Sequence, residues 1–318
     1  MENGAPHESL GEQNPWFLLD TFGVVDAQNG DGLERLKEAF QKYGIIKVSN
    51  LLSQNEADFY YDRLKAISGL QDEDYEKSRF DPRFTYSYIG GPSQIEDFWT
   101  LILNEKLLQL CDRILGDSKY YFDDKIGINL PSYAFHTDTQ MNQKYSDYVH
   151  FEHHTEITAI RSIHYFQQAG RQSTRFGFIP YSHLQDDSTV KSKPPPSTDL
   201  NKHSVWIDLS PRDCIFFNPL LKHTGERLQS AKYMVVLTWD KESRISNETF
   251  FRIAVSRNRS ANLNLNSRLV DLLRSKGRLP LALDDREKLY AHYSELVATE
   301  GKIKNQSNQI EFRNGKAT

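Results

Sequence analysis

The stretch from Tyr133 to Gln140 sets an imidazole, His136, and a carboxylate, Asp138, two residues apart, just beyond an apolar run, Ile126 to Leu130. On an extended backbone, alternate residues face the same side, so the two groups can bind one ion. A second imidazole, His223, stands in the stretch Phe216 to Gly225, again just past a strand-like run. Two imidazoles and one carboxylate on a single face of an octahedral ion leave three positions open. That arrangement suits iron(II) when it must hold a chelating co-substrate and oxygen together. His136, Asp138 and His223 are therefore the candidate metal ligands and catalytic set. A His-x-Asp pair alone is a weak signal, and its order and surroundings are what raise it. His150, His153 and His154 form a denser cluster. They lack the HExxH or HxxEH spacing of a helical zinc site, and read as surface or substrate-contacting residues.

These groups must be held by elements of two kinds. The first third has helical periodicity: Leu33, Leu36, Phe40 and Tyr43 recur on one face. Ser53 with Glu56 forms a capping box opening a helix through Ile67, and Ser93 with Glu96 opens another that runs, broken or whole, to Gly116. Ile45 to Leu52 between the first two reads as a strand. From Tyr120 the period changes to two. Short runs rich in β-branched and aromatic residues follow: Ile126 to Leu130, Ile157 to Phe166, Phe176 to Ile179, Val205 to Leu209, Cys214 to Phe217, Tyr233 to Trp239 and Phe250 to Val255. The stretches between them are too short or irregular to supply crossover helices. The expected fold class is thus mainly β with flanking helices (α+β), its core a jelly-roll or double-stranded β-helix of the cupin-like kind. Helical periodicity returns at Ser267 to Ser275 and Asp285 to Ala298. The expected organisation is a single domain over 1–318. It comprises a helical part at about 30–118, a β core at about 119–257, C-terminal helices at about 264–300 and a polar tail.

At this point the sequence resembles the phytanoyl-CoA hydroxylase-like family of iron(II) and 2-oxoglutarate dioxygenases, over about Leu33 to Trp239. Four landmarks in order carry the likeness. They are the strand-into-helix stretch Tyr43 to Ser53, the His136–Asp138 pair, the Pro180-Tyr181-Ser182-His183 turn with Tyr181 where the family has Gly, and the Asp213 strand leading to His223. The resemblance implies iron(II) as cofactor, with 2-oxoglutarate and oxygen as co-substrates. It also implies that a basic residue pairs with the far carboxylate of 2-oxoglutarate, a task suited to the fork of Arg. The family usually has that Arg a little past the distal His, whereas here Lys232, Tyr233 and Met234 occupy the region. Lys232 is the first choice for the anchor, Arg161 the second and Arg227 the third. Asn129 is a candidate hydrogen-bond donor to the co-substrate. Halogenating relatives have a small residue at the carboxylate position. Asp138 therefore favours hydroxylation, desaturation or oxidative ring closure. His183 reads as structural. Were Arg171 and Arg175 to point into the pocket, an anionic substrate would follow.

The bulk numbers bound the rest. The chain has 318 residues, is 38% hydrophobic and carries a formal charge of -4, so it can bury a sizeable core but lacks the positive field that nucleic acid requires. No apolar run is long enough to span a bilayer, and Met1 to Pro15 lacks a signal-peptide layout, so the expected location is cytoplasmic. Cys111 and Cys214 read as buried, reduced thiols. The resulting expectation is an enzyme oxidising a C–H bond of a small metabolite in a biosynthetic pathway, an anionic one if Arg171 and Arg175 face the pocket. Two alternatives stand beside it: a cupin-like binding module without 2-oxoglutarate turnover, and a peptide or protein hydroxylase.

Overall fold

The structure is a computed structural model. It describes residues 24–26, 36–69, 86–89, 91–122, 124–128, 135–138, 159–167, 174–184, 204–226, 233–241 and 266–280.

The described strands are β1 (Val24–Asp26), β2 (Ile45–Ser49), β3 (Tyr86–Ile89), β4 (Ser118–Tyr120), β5 (Lys125–Ile128), β6 (Ala159–Phe166), β7 (Thr174–Phe178), β8 (Val205–Leu209), β9 (Cys214–Phe217), β10 (His223–Gly225) and β11 (Tyr233–Lys241). They form two sheets. The larger runs β1-β2-β9-β6-β11-β5-β3, with β4 also on β11, and the smaller runs β10-β7-β8. Apart from the parallel β1–β2 pair, every described pairing is antiparallel. Two facing antiparallel sheets with strands alternating between them make the double-stranded β-helix that the strand pattern predicts.

The period of two sorts residues between two cores. From the large sheet, Ile45, Ile163, Tyr165, Ile215, Phe217, Met234 and Val236 meet Phe176, Phe178, Val205 and Ile207 of the small sheet. The intervening residues, among them Ile46, Val48, Phe166, Phe216, Val235, Leu237 and Trp239, meet the helices. Covered on both faces, β11 is buried from Tyr233 to Asp240, which is why it reads as a nearly unbroken apolar run.

The covering helices are α1 (Leu36–Tyr43), α2 (Gln54–Ser68) and α3 (Glu105–Leu115), joined by α4 (Ser267–Ser275) from the C-terminal side. The Ser53–Glu56 capping box forms with both its bonds, and Gly69 ends α2 at φ 64. The second box does not form. The Ser93 backbone N–H instead donates to buried Asp124 at 2.6 Å, and short turns follow until Asn104 caps α3. The buried carboxylate, also bonded by the Tyr120 hydroxyl at 2.7 Å, outcompetes a local cap.

Four strands escape the sequence pattern: β1, β3, β4 and β10. Phe250 to Val255 and Asp285 to Ala298 lie outside the described residues. Cys111 and Cys214 are buried and free, their thiols pushed well up by burial. Among the described residues no helix is long and apolar enough to cross a membrane.

Candidate metal centre

His223 opens β10, where it pairs with Phe178 of β7, and His136 lies across from it in an isolated antiparallel bridge. The bridge has both backbone bonds: His136 N–H to the His223 carbonyl at 3.1 Å, and the reverse at 2.9 Å. The Asp138 N–H donates to the Pro219 carbonyl at 3.1 Å, holding the third group against the turn that leads into β10. Residues far apart in sequence are thus joined through main chain, so their side chains converge without relying on mobile contacts.

The three residues each offer a donor atom, all within 4.8 Å of one another, and among the described residues they are the one such cluster. His223 Nε2 lies 3.8 Å from Asp138 Oδ1. Two ligands at right angles, with bonds of about 2.1 Å, would stand about 3 Å apart. Small side-chain rotations therefore suffice to bring these donors onto one ion.

The proton positions suit a metal. His223 Nδ1 lies 2.9 Å from the Leu221 carbonyl, which can only accept, so Nδ1 carries the hydrogen and Nε2 presents its lone pair to the cluster. That carbonyl is set by the Asn218–Leu221 turn, in which the Leu221 N–H donates to the Asn218 carbonyl at 2.8 Å. Burial pushes His223 down to about 4, despite the opposing pull of Asp138, so the ring is neutral at neutral pH. Burial by itself would raise Asp138. The charge of Arg161, helped by His223, His136 and Lys125, more than offsets it and holds the carboxyl at about 2. Neutral imidazole and ionised carboxylate are the forms that bind metal. The His223 ring is walled by Phe217, with centroids 4.5 Å apart, and by Phe176 at 5.5 Å in near-parallel stacking.

Arg161 comes from β6, paired with Phe217 on one side and Thr238 on the other. Its Nη1 sits 3.2 Å from Asp138 Oδ2, with the two side chains 13% and 15% exposed. Of the remaining candidates, Lys232, Asn129, Arg227, Arg171 and the cluster of His150, His153 and His154 lie outside the described residues. Arg175 points away from the interior. It pairs with Glu226 and lies over the Trp206 ring, 5.4 Å from its centroid, so its route to an anionic substrate in the pocket is withdrawn. The alternation along β7 sends Phe176 and Phe178 inward and therefore Arg175 outward.

The other landmarks are structural. His183 Nε2 lies 3.0 Å from the Gln41 carbonyl, and its ring covers Gly44, where a Cβ would fall 2.5 Å from Nδ1. Gly44 sits at φ 70, so both the backbone and the neighbour demand glycine. Asp213 accepts from the N–H groups of Asn50 and Ser210, each at 3.0 Å, and pairs with Lys47 at 3.3 Å. It ties the β8–β9 turn to the end of β2. The Leu221 carbonyl and the Arg161–Asp138 contact were missed from sequence, since neither leaves a signal in residue type or spacing.

No family model and no curated protein matches the chain. Solved structures overlap it in part. The non-heme alpha ketoglutarate dependent epimerase SnoN from nogalamycin biosynthesis is 14% identical at a TM-score of 0.49, over 66% of this chain and 81% of that one. The carbocyclase SnoK from the same biosynthesis is 12% identical at 0.48, over 69% and 87%. HygX from Streptomyces hygroscopicus, with nickel and 2-oxoglutarate bound, is 13% identical at 0.45, over 64% and 85%.

Proposed function

We propose that this chain is an iron(II)- and 2-oxoglutarate-dependent oxygenase acting on a C–H bond of a small molecule. The observation that carries the reading is the convergence of His136, Asp138 and His223 on a backbone-bridged site, with His223 Nε2 deprotonated and turned toward the Asp138 carboxylate. Two imidazole nitrogens and one carboxylate oxygen on one side of an ion match the facial set that leaves room for a chelating co-substrate and oxygen.

Iron bound there, with 2-oxoglutarate and oxygen, supplies the oxidising power for hydroxylation, desaturation or oxidative ring closure. The chain's own residues do the rest. The bridge fixes the ligands, Phe217 and Phe176 keep water from one side of the His223 ring, and both rings belong to the apolar core between the sheets. Lys232 is proposed as the point charge that meets the far carboxylate of 2-oxoglutarate, with Asn129 as a hydrogen-bond donor to it. On this reading the chain is one catalytic domain of a cytoplasmic biosynthetic enzyme whose partners are small molecules.

The test is anaerobic titration of the purified protein with iron(II) and 2-oxoglutarate, following the visible charge-transfer band of the chelate. The band should appear in wild type and vanish in His136→Ala. Iron bound without a band would instead favour a binding module that has lost its co-substrate.

A further inference from the structure

Three ligating residues leave the site open only if each takes one position. A carboxylate can take two. If Asp138 chelated the metal through both oxygens, the chain would fill four of six positions. A two-point co-substrate would then fill the other two, and oxygen would have none. Something must hold back the second oxygen.

We propose that Arg161 is a positioning residue whose guanidinium takes Oδ2 of Asp138, leaving Oδ1 as the single metal-facing oxygen and keeping a coordination position free. The inference rests on the metal-centre reading above. Its basis is the division of the carboxylate: Oδ2 stands 3.2 Å from Arg161 Nη1, and Oδ1 faces His223 Nε2 at 3.8 Å. Arg161 is itself held from both sides. On one rung of the large sheet, Arg161 lies between Thr238 and Phe217, and the Phe217 ring rests on His223 at 4.5 Å. A single rung thereby sets the guanidinium and one metal ligand in common register.

The competing role, anchor for the far carboxylate of 2-oxoglutarate, fits this position poorly. A five-carbon diacid held by its keto-acid end carries its other carboxylate several ångström from the metal. Arg161 meets the metal-binding carboxylate itself, so its charge lies at the wrong end of the co-substrate.

The experiment uses the full chain in wild type, Arg161→Met and Arg161→Lys. Solvent-proton relaxation of the manganese(II)-loaded protein counts exchangeable waters on the bound ion. Anaerobic iron(II) titrations compare 2-oxoglutarate with pyruvate, which has the keto-acid end but no far carboxylate. In Arg161→Met the water count should fall by one as Asp138 closes on the metal, and both 2-oxo acids should bind about tenfold more weakly. Arg161→Lys, which retains a charge able to reach Oδ2, should restore both. An unchanged water count, or 2-oxoglutarate weakened with pyruvate unaffected, would overturn the proposal and return Arg161 to the anchor role. Should wild type bind no manganese(II), the metal-centre reading falls and this one with it. A failure confined to the variants leaves that reading intact.

Discussion

Two Asp–Arg pairs in this molecule use the same chemistry to opposite ends. Near the C-terminal helix, Arg278 grips Asp112 with two prongs, Nη1 to Oδ1 at 2.5 Å and Nη2 to Oδ2 at 2.6 Å. Ser118 adds its N–H at 3.0 Å and its hydroxyl at 2.8 Å, both to Oδ1, and Tyr120 N–H closes on the Arg278 carbonyl at 2.8 Å. Every lone pair with a structural task is taken, and α3, β4 and the end of α4 are locked together. At the candidate metal centre, Arg161 Nη1 stands 3.2 Å from Asp138 Oδ2, an ion-pair contact off hydrogen-bond alignment. The difference is one of saturation. The Asp112 carboxylate is hydrogen-bonded at both oxygens, whereas Asp138 Oδ2 is buried beside Arg161 with no hydrogen bond.

The largest effect should be a crossover between the two aspartates. Asp138→Asn should cut iron(II) affinity by a thousandfold or more, about 4 kcal/mol, and, since Arg161 then faces a neutral partner, lower the apo-protein's stability by no more than Asp112→Asn does. Asp112→Asn should leave metal affinity alone and lower folding stability by about 2 kcal/mol, because Arg278 then faces a neutral partner. Metal titration and urea unfolding on both variants check it. If both variants lost metal binding equally, the division of labour would be wrong.

Acid titration separates the clamp from a third buried group. His164, on the helix-facing side of β6, is held by burial down to about 3, from an ordinary value of 6.5. The unfolded chain therefore binds a proton that the folded chain refuses between those values. The His164 contribution is full above about 6.5 and falls by about 1.4 kcal/mol per pH unit below it, roughly 2 kcal/mol by pH 5, and His223, held at about 4, adds a similar fall. Burial would raise Asp112, but its bonds to Arg278 and Ser118 hold it below 3.8. The clamp's contribution is thus whole down to that value and is lost only as pH falls further. Urea unfolding of the apo-protein from pH 7 to pH 4 should show a slope that His164→Phe roughly halves and Asp112→Asn does not alter. A slope unchanged in His164→Phe would assign the acid sensitivity elsewhere.

The contrast between the pairs also marks how much could be read from sequence. The convergence of His136, Asp138 and His223 was legible because the order and surroundings of a weak His-x-Asp signal singled these three out, and their donor atoms lie within 4.8 Å of one another. The strands Val205–Leu209 and Cys214–Phe217 were legible because period two survives where one sheet face meets one core. The strand His223–Gly225 was not, since three residues with a glycine carry no period, and its pairing depends on a partner remote in sequence. The Ser93 box failed for a related reason: its local signal was sound, but Asp124, distant along the chain, offered the Ser93 N–H a better acceptor. Arg161 stood in the sequence as one cation among several. Its partner became visible only through the β6–β9 register that sets it beside Phe217. Residue type announces what a group can do, and register decides to whom it does it.

The smallest expected effect tests that last point with one conservative change at each pair. Arg278→Lys keeps the charge but loses the fork, so one Asp112 oxygen gives up its guanidinium bond. Stability should fall by about 1 kcal/mol. Arg161→Lys keeps a charge beside Asp138, where the 3.2 Å contact is off hydrogen-bond alignment, and urea unfolding should detect less than about 0.5 kcal/mol. The ratio matters more than either value. Equal losses would mean that Arg161 serves the fold as Arg278 does, and that hydrogen-bond alignment with the aspartate is not what distinguishes the candidate metal centre from the clamp.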